Sequence, residues 1–390
     1  MSFSFSTAVR AGVTSMIAFG MLNAAFARER GPRVEVVCPS PPVPVRIDKQ
    51  QVLVYELHVT NFDVVPLTLK RLDVFGNDEN SRPLITLADD RLAAAMIQVG
   101  APMASADSSA GPKDARVIGP GGRAVVFLWT EMQPDHPSPI SLRHRMVFSS
   151  AAADGGNAAE ATLDDFPVPV SQDSVLTLSP PFNGGIWLAG NGPANDSDHR
   201  RSITAIDGHI YSAERFAIDW IKVGPNGDSR HDGSTRNENW WGYGEPVLAV
   251  ADGEIMEVVD GIPDNTPRVL PPVTLDNIAG NHVILQIAPN RYVAYAHLQN
   301  QSIRVKLHDR VHRGAVLALL GNSGNTTGAH LHLQVTDRNS VLQSEGVPFV
   351  FGSFIYLGPG SDYPEKQVAV PWSNSIPPGN AVVKFEPSRK

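Results

Sequence analysis

The segment Gly328-Ala329-His330-Leu331-His332-Leu333 constrains the fold more than any other part of this chain. Leu331, Leu333 and Val335 alternate with His330, His332 and Gln334, directly after a Gly-, Asn- and Thr-bearing loop from Gly321 to Gly328. Period-two alternation after such a loop predicts a half-buried β-strand and argues against a helix. His330 and His332 then share one face and can converge on a point in front of it, the geometry of a metal site. An isolated His-x-His is also what ordinary surface or structural histidines look like, so the surrounding segments decide its meaning.

Those segments are strands as well. Leu53, Tyr55, Leu57 and Val59 alternate with Val54, Glu56, His58 and Thr60, and Val125, Phe127 and Trp129 repeat the pattern after Gly121-Gly122. With Leu67 to Phe75 and Ser141 to Phe148 they predict an antiparallel β-sandwich of immunoglobulin-like size without its cysteine pair. Alanine-, serine- and glycine-rich stretches at 101–112 and 150–162 read as long loops. The expected organisation is all-β: a leader at 1–27, the sandwich at 28–172, a second β domain at 173–355 entered through Leu178-Ser179-Pro180-Pro181, and a proline-rich tail at 356–390 wrapping the surface.

In the leader, Arg10 precedes an apolar run through Ala18, Phe19, Met21 and Leu22, and Ala25-Phe26-Ala27 has the small-x-small form of a signal-peptidase site. That run is short for a bilayer core of about 30 Å, and no later stretch reads as a membrane span. Removing residues 1–27 moves the formal charge from −8 to −9, because Arg10 is the charged residue there. An acidic chain of this kind disfavours nucleic acid as a partner. Cys38 stands alone, which excludes an intramolecular disulfide.

The His-x-His strand follows Val311-His312-Arg313-Gly314-Ala315-Val316-Leu317-Ala318-Leu319-Leu320-Gly321-Asn322-Ser323-Gly324, and lies downstream of Phe216-Ala217-Ile218-Asp219-Trp220, Pro246 to Gly253 and Tyr295-Ala296-His297-Leu298. Over roughly residues 180–350 this ordered set resembles the lysostaphin-type (LytM-like) zinc metallopeptidases of bacterial cell walls. The resemblance implies an open antiparallel β-sheet domain of the duplicated hybrid motif type, zinc as cofactor and peptidoglycan peptides as substrate. It implies an exported, periplasmic or other envelope location. Carried over by motif, Asp219 and His332 become metal ligands, and His297 and His330 the catalytic pair.

One element departs from the pattern. The third ligand of that family is usually a His four positions before the Asp, and that position is Arg215, a permanently protonated guanidinium with no lone pair to offer. His199 is the replacement candidate, through a hairpin of His199–Ala205 with Tyr211–Asp219 about Asp207-Gly208. An odd-length turn places His199 on the Asp219 face, and a two-residue turn places it on the opposite one. His209 and His231 are weaker candidates, His282 a neighbour at most, and His58, His136 and His144 ordinary residues of the sandwich.

Amide hydrolysis needs a hydroxide-like nucleophile and a partner for the oxyanion, which zinc with an open coordination position supplies. No His-Glu-x-x-His helix and no Gly-x-Ser-x-Gly elbow is present, so His297 and His330 are the acid–base candidates, their individual roles open. The loop Gly321–Gly328 reads as one wall of the substrate groove and the stretch Asn237, Asn239, Trp240, Trp241, Tyr243 as a second. The rival reading is a non-catalytic relative, with Arg215 marking lost zinc and a groove that binds wall peptides or regulates another hydrolase. A third is a carbohydrate-binding envelope protein using the sandwich and the aromatic loop.

Overall fold

The computed structural model describes residues 31–387 apart from 78–81, 101–113, 133–136, 151–158, 232 and 234. The leader at 1–27, His136 and the stretch 101–112 lie outside the described residues, as does most of 150–162, whose remainder belongs to the strands Ser141–Ser150 and Ala159–Pro169. The described chain is built mainly of β-strands in several sheets, and its α-helices are the short Asp89–Ala94 and Asp198–Arg201. No helix among the described residues is long and apolar enough to cross a membrane.

Two five-stranded sheets come from the first half of the chain. One runs Val34–Val37, Gln50–Asn61, Arg123–Glu131, Met96–Gln98, with Val45–Ile47 added on Gln50–Asn61; the other runs Ala159–Pro169, Ser141–Ser150, Leu67–Phe75, Ile85–Ala88, with Val117–Ile118 added on Leu67–Phe75. Leu53, Tyr55, Leu57 and Val59 of the first sheet share a core with Leu69, Leu72, Met146 and Phe148 of the second. The alternate residues of Gln50–Asn61 are also buried, because that face packs on the second half of the chain: Val52 and Val54 join the larger core there, and Glu56 is fully buried. Such a strand, covered on both sides, stays polar at one position only if that position has partners.

The second half forms one eleven-stranded sheet and two two-stranded ones, Thr204–Ile206 with His209–Tyr211 and Pro246–Leu248 with Val316–Leu319. The centre of the large sheet is the antiparallel row Gly185–Gly190, Ile218–Lys222, Leu331–Thr336, Arg291–Leu298, Asn281–Ala288. Ile218, Trp220, Leu331, Leu333 and Tyr295 fill the core behind it. The segment expected to wrap the surface as a tail does something else: Ala381–Phe385 inserts between Gly185–Gly190 and Phe349–Pro359, and Val370–Ser375 pairs with Phe349–Pro359. Val383 and Phe385 alternate into the same core as Trp187, which is why this proline-bounded stretch folds inward. A boundary at 355 would cut the strand Phe349–Pro359.

Candidate metal centre

Register brings the first residues together. Asp219 lies directly opposite His332 across one ladder, and Ala296 directly opposite His332 across the next. Directly opposed residues have Cβ atoms about 4.5–5.5 Å apart on a common face. That face is the one away from the core, and there His332 Nδ1 lies 3.1 Å from Asp219 Oδ1.

His297 is next to Ala296, so regular alternation would aim it into the core. Its φ of +62° takes the chain out of strand geometry, and its ring comes to 5.8 Å from that of His332 and 4.8 Å from that of His330, between centroids. Positive φ in a residue other than glycine is uncommon and is held only where the surroundings demand it. Here the His297 backbone N–H donates to the Ala279 carbonyl and the Gly321 N–H to the His297 carbonyl. His330 enters just before its strand, with Nε2 3.4 Å from Asp219 Oδ1.

His199 reaches the same place by a route the sequence did not suggest. The turn Asp207-Gly208 is two residues long, with φ of +51° and +79° and Ile206 paired to His209, so the hairpin has the parity that would point position 199 away from Asp219. The hairpin stops at Thr204, however, and His199 sits on the helical turn Asp198–Arg201, capped by Ser197 accepting from the Arg200 N–H. From there His199 Nε2 lies 3.4 Å from Asp219 Oδ2, and its ring is edge-on to His332 at 4.8 Å between centroids.

The ligand-type atoms of His199, Asp219 and His332 all lie within 4.8 Å of one another, a cluster able to hold a metal ion. Each imidazole has its other nitrogen committed to an acceptor. His199 Nδ1 donates to the Asn191 carbonyl (3.0 Å), His332 Nε2 to Gln334 Oε1 (2.7 Å), His297 Nδ1 to the Ser323 carbonyl (2.8 Å) and His330 Nδ1 to the Gly328 carbonyl (2.9 Å). Such partners fix the ring orientation and turn the other nitrogen toward the cluster, where it offers a lone pair once deprotonated. Two imidazoles and a carboxylate from three separate segments fit zinc, with room for a further ligand.

The charged groups of the cluster shift one another's proton affinity. Burial alone would raise Asp219, yet the charges of His330 and His199 and hydrogen bonds from His330 and His332 hold its carboxyl well below the usual range. Burial disfavours a charge on His332, but the hydrogen bond and charge of Asp219, with Glu214 behind, outweigh it and raise the imidazole to about 9. Burial first, then the His330 and His332 charges, push His297 well below the ordinary histidine range, so it is neutral at neutral pH.

A cleft of about 1160 Å³ opens over this cluster. Thr326, Thr327 and Gly328 form part of its wall, as expected for the loop Gly321–Gly328, and Trp240 another part. Trp240 also packs on Gly328, where any Cβ would fall 2.1 Å from the indole, and so supports the carbonyl that orients His330. Trp241 instead packs tilted against His231 at 3.5 Å between centroids. His209 is exposed at its turn, and His282 bonds to the Gly280 carbonyl and Glu257 without lining the cleft. Arg215 does not point at the cluster: it is buried, donating to Glu56, Glu345 and the Gly346 carbonyl. Gln334 is legible as a residue on the His332 face; Asn191, whose carbonyl accepts from His199 and whose Nδ2 donates to Asp219 Oδ2 at 3.0 Å, is marked by no sequence pattern.

Residues 241–344 match Peptidase family M23. The matched segment holds His297, His330 and His332, and Asp219 and His199 precede it. An uncharacterized metalloprotease of Buchnera aphidicola is 29% identical over 104 residues, 27% of this chain; the match spans 23% of that relative's length. Among solved structures, the catalytic domain of the prophage-encoded M23 protein EnpA from Enterococcus faecalis is similar at 19% identity and TM-score 0.26, over 44% of this chain and 93% of that one. The catalytic domain of lysostaphin from Staphylococcus simulans is similar at 18% identity and TM-score 0.24, over 42% and 88%.

Proposed function

We propose that the chain is an exported zinc metalloendopeptidase that hydrolyses peptide bonds of bacterial peptidoglycan. The observation that carries this reading is the convergence of His199 Nε2, Asp219 and His332 Nδ1, the imidazoles each turned by its own hydrogen bond and the carboxylate held by Asn191 Nδ2, with the rings of His297 and His330 beside them. In this reading His199, Asp219 and His332 hold zinc. Bound there, zinc supplies Lewis acidity toward a carbonyl and lowers the pKa of water to about 7.

The chain's own residues do the rest. His297, neutral and with Nδ1 committed to the Ser323 carbonyl, accepts or returns a proton through Nε2, or donates to the developing oxyanion once charged. His330 faces the same space with Nε2, and its Nδ1–H is tied to Gly328, so its ring cannot turn away. The cleft walls from 326–328 and Trp240 take the peptide. An N-terminal unit at 28–172 and a peptidase unit from 173 that takes in the strands up to Phe385 belong to the reading, as does the leader at 1–27 and an envelope location.

His199 at the metal cluster favours the enzyme over a zinc-free binding relative, because the loss of His at position 215 is matched by a donor from another segment. The test is metal content and hydrolysis of purified peptidoglycan by wild type and Asp219→Ala. About one zinc per chain with hydrolysis in wild type, and loss of both in the variant, is expected; equal zinc in the two proteins, or none in either, refutes the assignment.

A further inference from the structure

His199 is held differently from its companions. Asp219 and His332 sit in the middle of a sheet, each fixed by ladders on both sides. His199 sits on four helical residues, Asp198–Arg201, too few to be stable on their own. The anchors around it run to the first half of the chain. Arg200, fully buried, donates to the Glu56 carboxylate and, through Nη2, to the Tyr55 carbonyl at 2.8 Å. Arg201 Nη2 donates to the Ala94 carbonyl at 2.6 Å, and Asn195 Nδ2 to the Phe127 carbonyl at 3.1 Å. Both guanidiniums also lie over the Phe127 ring.

Glu56 is the junction of this docking. Its carboxylate, fully buried, accepts from Arg200 and from Arg215 Nε and Nη2, the last at 2.7 Å, while Glu345 takes Arg215 from the other side at 2.5 Å. Arg200 follows His199 in sequence, and Arg215 lies four residues before Asp219. One carboxylate from the first half of the chain therefore grips both segments whose relative position sets the distance between His199 and Asp219. Forked, bidentate contact to a buried carboxylate fixes direction as well as distance.

We propose that Glu56 is a positioning residue of the metal centre: through Arg200 it sets His199 against Asp219, so the N-terminal sheets complete a site that the eleven-stranded sheet only begins. The guanidinium at 215 is then part of the clamp that allows a donor from outside the sheet to stand in for one within it. This rests on the reading of His199, Asp219 and His332 as zinc ligands.

The test uses the full chain and reads zinc affinity by competition with a chromophoric chelator. Glu56→Gln should weaken zinc binding roughly 10–100-fold, the range for partners that orient a ligand. Because a lost charge in a buried pair can unfold a protein, Glu56→Met with Arg200→Met is the second variant: it removes the pair as a unit, a change buried ion pairs commonly tolerate, and should show the same weakening. Leu69→Ala, in the N-terminal core but away from the clamp, should leave zinc affinity unchanged. On a His199→Ala background, Glu56→Gln should cost nothing further, since it acts through His199. Wild-type affinity in either Glu56 variant, equal weakening in Leu69→Ala, or a full additional loss on the His199→Ala background overturns the inference while leaving the metal site standing. A His199→Ala protein that binds zinc as wild type does removes the ligand assignment itself, and the inference with it.

Discussion

Two groups of histidines share this molecule, and burial does not tell them apart. His58 and His144, in the N-terminal sheets, are 6% and 0% exposed; His199, His297 and His332, at the cleft, are 9%, 6% and 4% exposed. The difference is in the second nitrogen. His144 has both ring nitrogens bonded inside the protein, Nε2 to the Tyr55 hydroxyl at 2.7 Å and Nδ1 to the Phe166 carbonyl at 2.9 Å. Each cleft histidine instead gives one nitrogen to a fixed acceptor and aims the other at its neighbours and Asp219. A histidine whose second nitrogen meets a neutral hydroxyl is a structural bridge; one whose second nitrogen faces a buried carboxylate and other imidazoles is an oriented ligand or base.

Rates should separate the groups most widely. His297→Ala and His330→Ala are each expected to keep zinc and lose peptidoglycan hydrolysis by roughly 10²–10⁴-fold, the usual contribution of an acid–base group. His144→Gln, which keeps an acceptor for Tyr55, should hydrolyse at a rate within about twofold of wild type wherever it is folded. Wild-type rates in both cleft variants would place those residues with the structural histidines and dissolve the distinction.

A second separation lies in protons. His332 is raised to about 9, so at neutral pH its Nδ1 carries a proton that donates to Asp219, and zinc must displace it. Affinity should therefore climb about tenfold per pH unit below 9, near 100-fold between pH 6 and 8, with proton release measurable by calorimetry in buffers of different ionisation enthalpy. Asp219, already ionised across this range, adds nothing to the slope. A flat profile would mean that His332 Nδ1 is not the coordinating atom.

How far the sequence reveals this arrangement follows from what each residue depends on. The face of His332 depends on strand periodicity, which Leu331 and Leu333 spell out locally; Asp219 is marked by its motif, and the register that sets it opposite His332 has no local signal. His297 depends on one left-handed residue that overrides the alternation, and only its motif pointed to it. His199 depends on docking against residues more than a hundred positions earlier, and no local pattern encodes the Arg200–Glu56 contact. Glu56 itself looked like the wet side of a strand; the second half of the chain covers that side and turns it into a junction. The C-terminal strands were hidden for a related reason: Pro371, Pro377 and Pro378 suggest irregular chain, while the open edges of Gly185–Gly190 and Phe349–Pro359 offer pairing that no local reading contains.

The smallest expected effect is on stability, where His144 and His332 should have opposite signs. Burial pushes His144 down to about 4, against about 6.5 in an unfolded chain. Between those values the unfolded state binds more protons, so stability falls as pH is lowered from 6.5 to 4, by roughly 1–3 kcal/mol from this residue. In chelator-treated protein His332 works the other way. Its folded value of about 9 lies above the unfolded one, so its contribution is complete below pH 6.5 and is lost as pH rises through 9. Urea midpoints of chelated protein between pH 4 and 9 should thus decline at both ends. His144→Gln should flatten the acid limb alone and His332→Gln the alkaline limb alone, and a variant that flattened the wrong limb would show that its ring is held in the protonation state opposite to the one its partners imply.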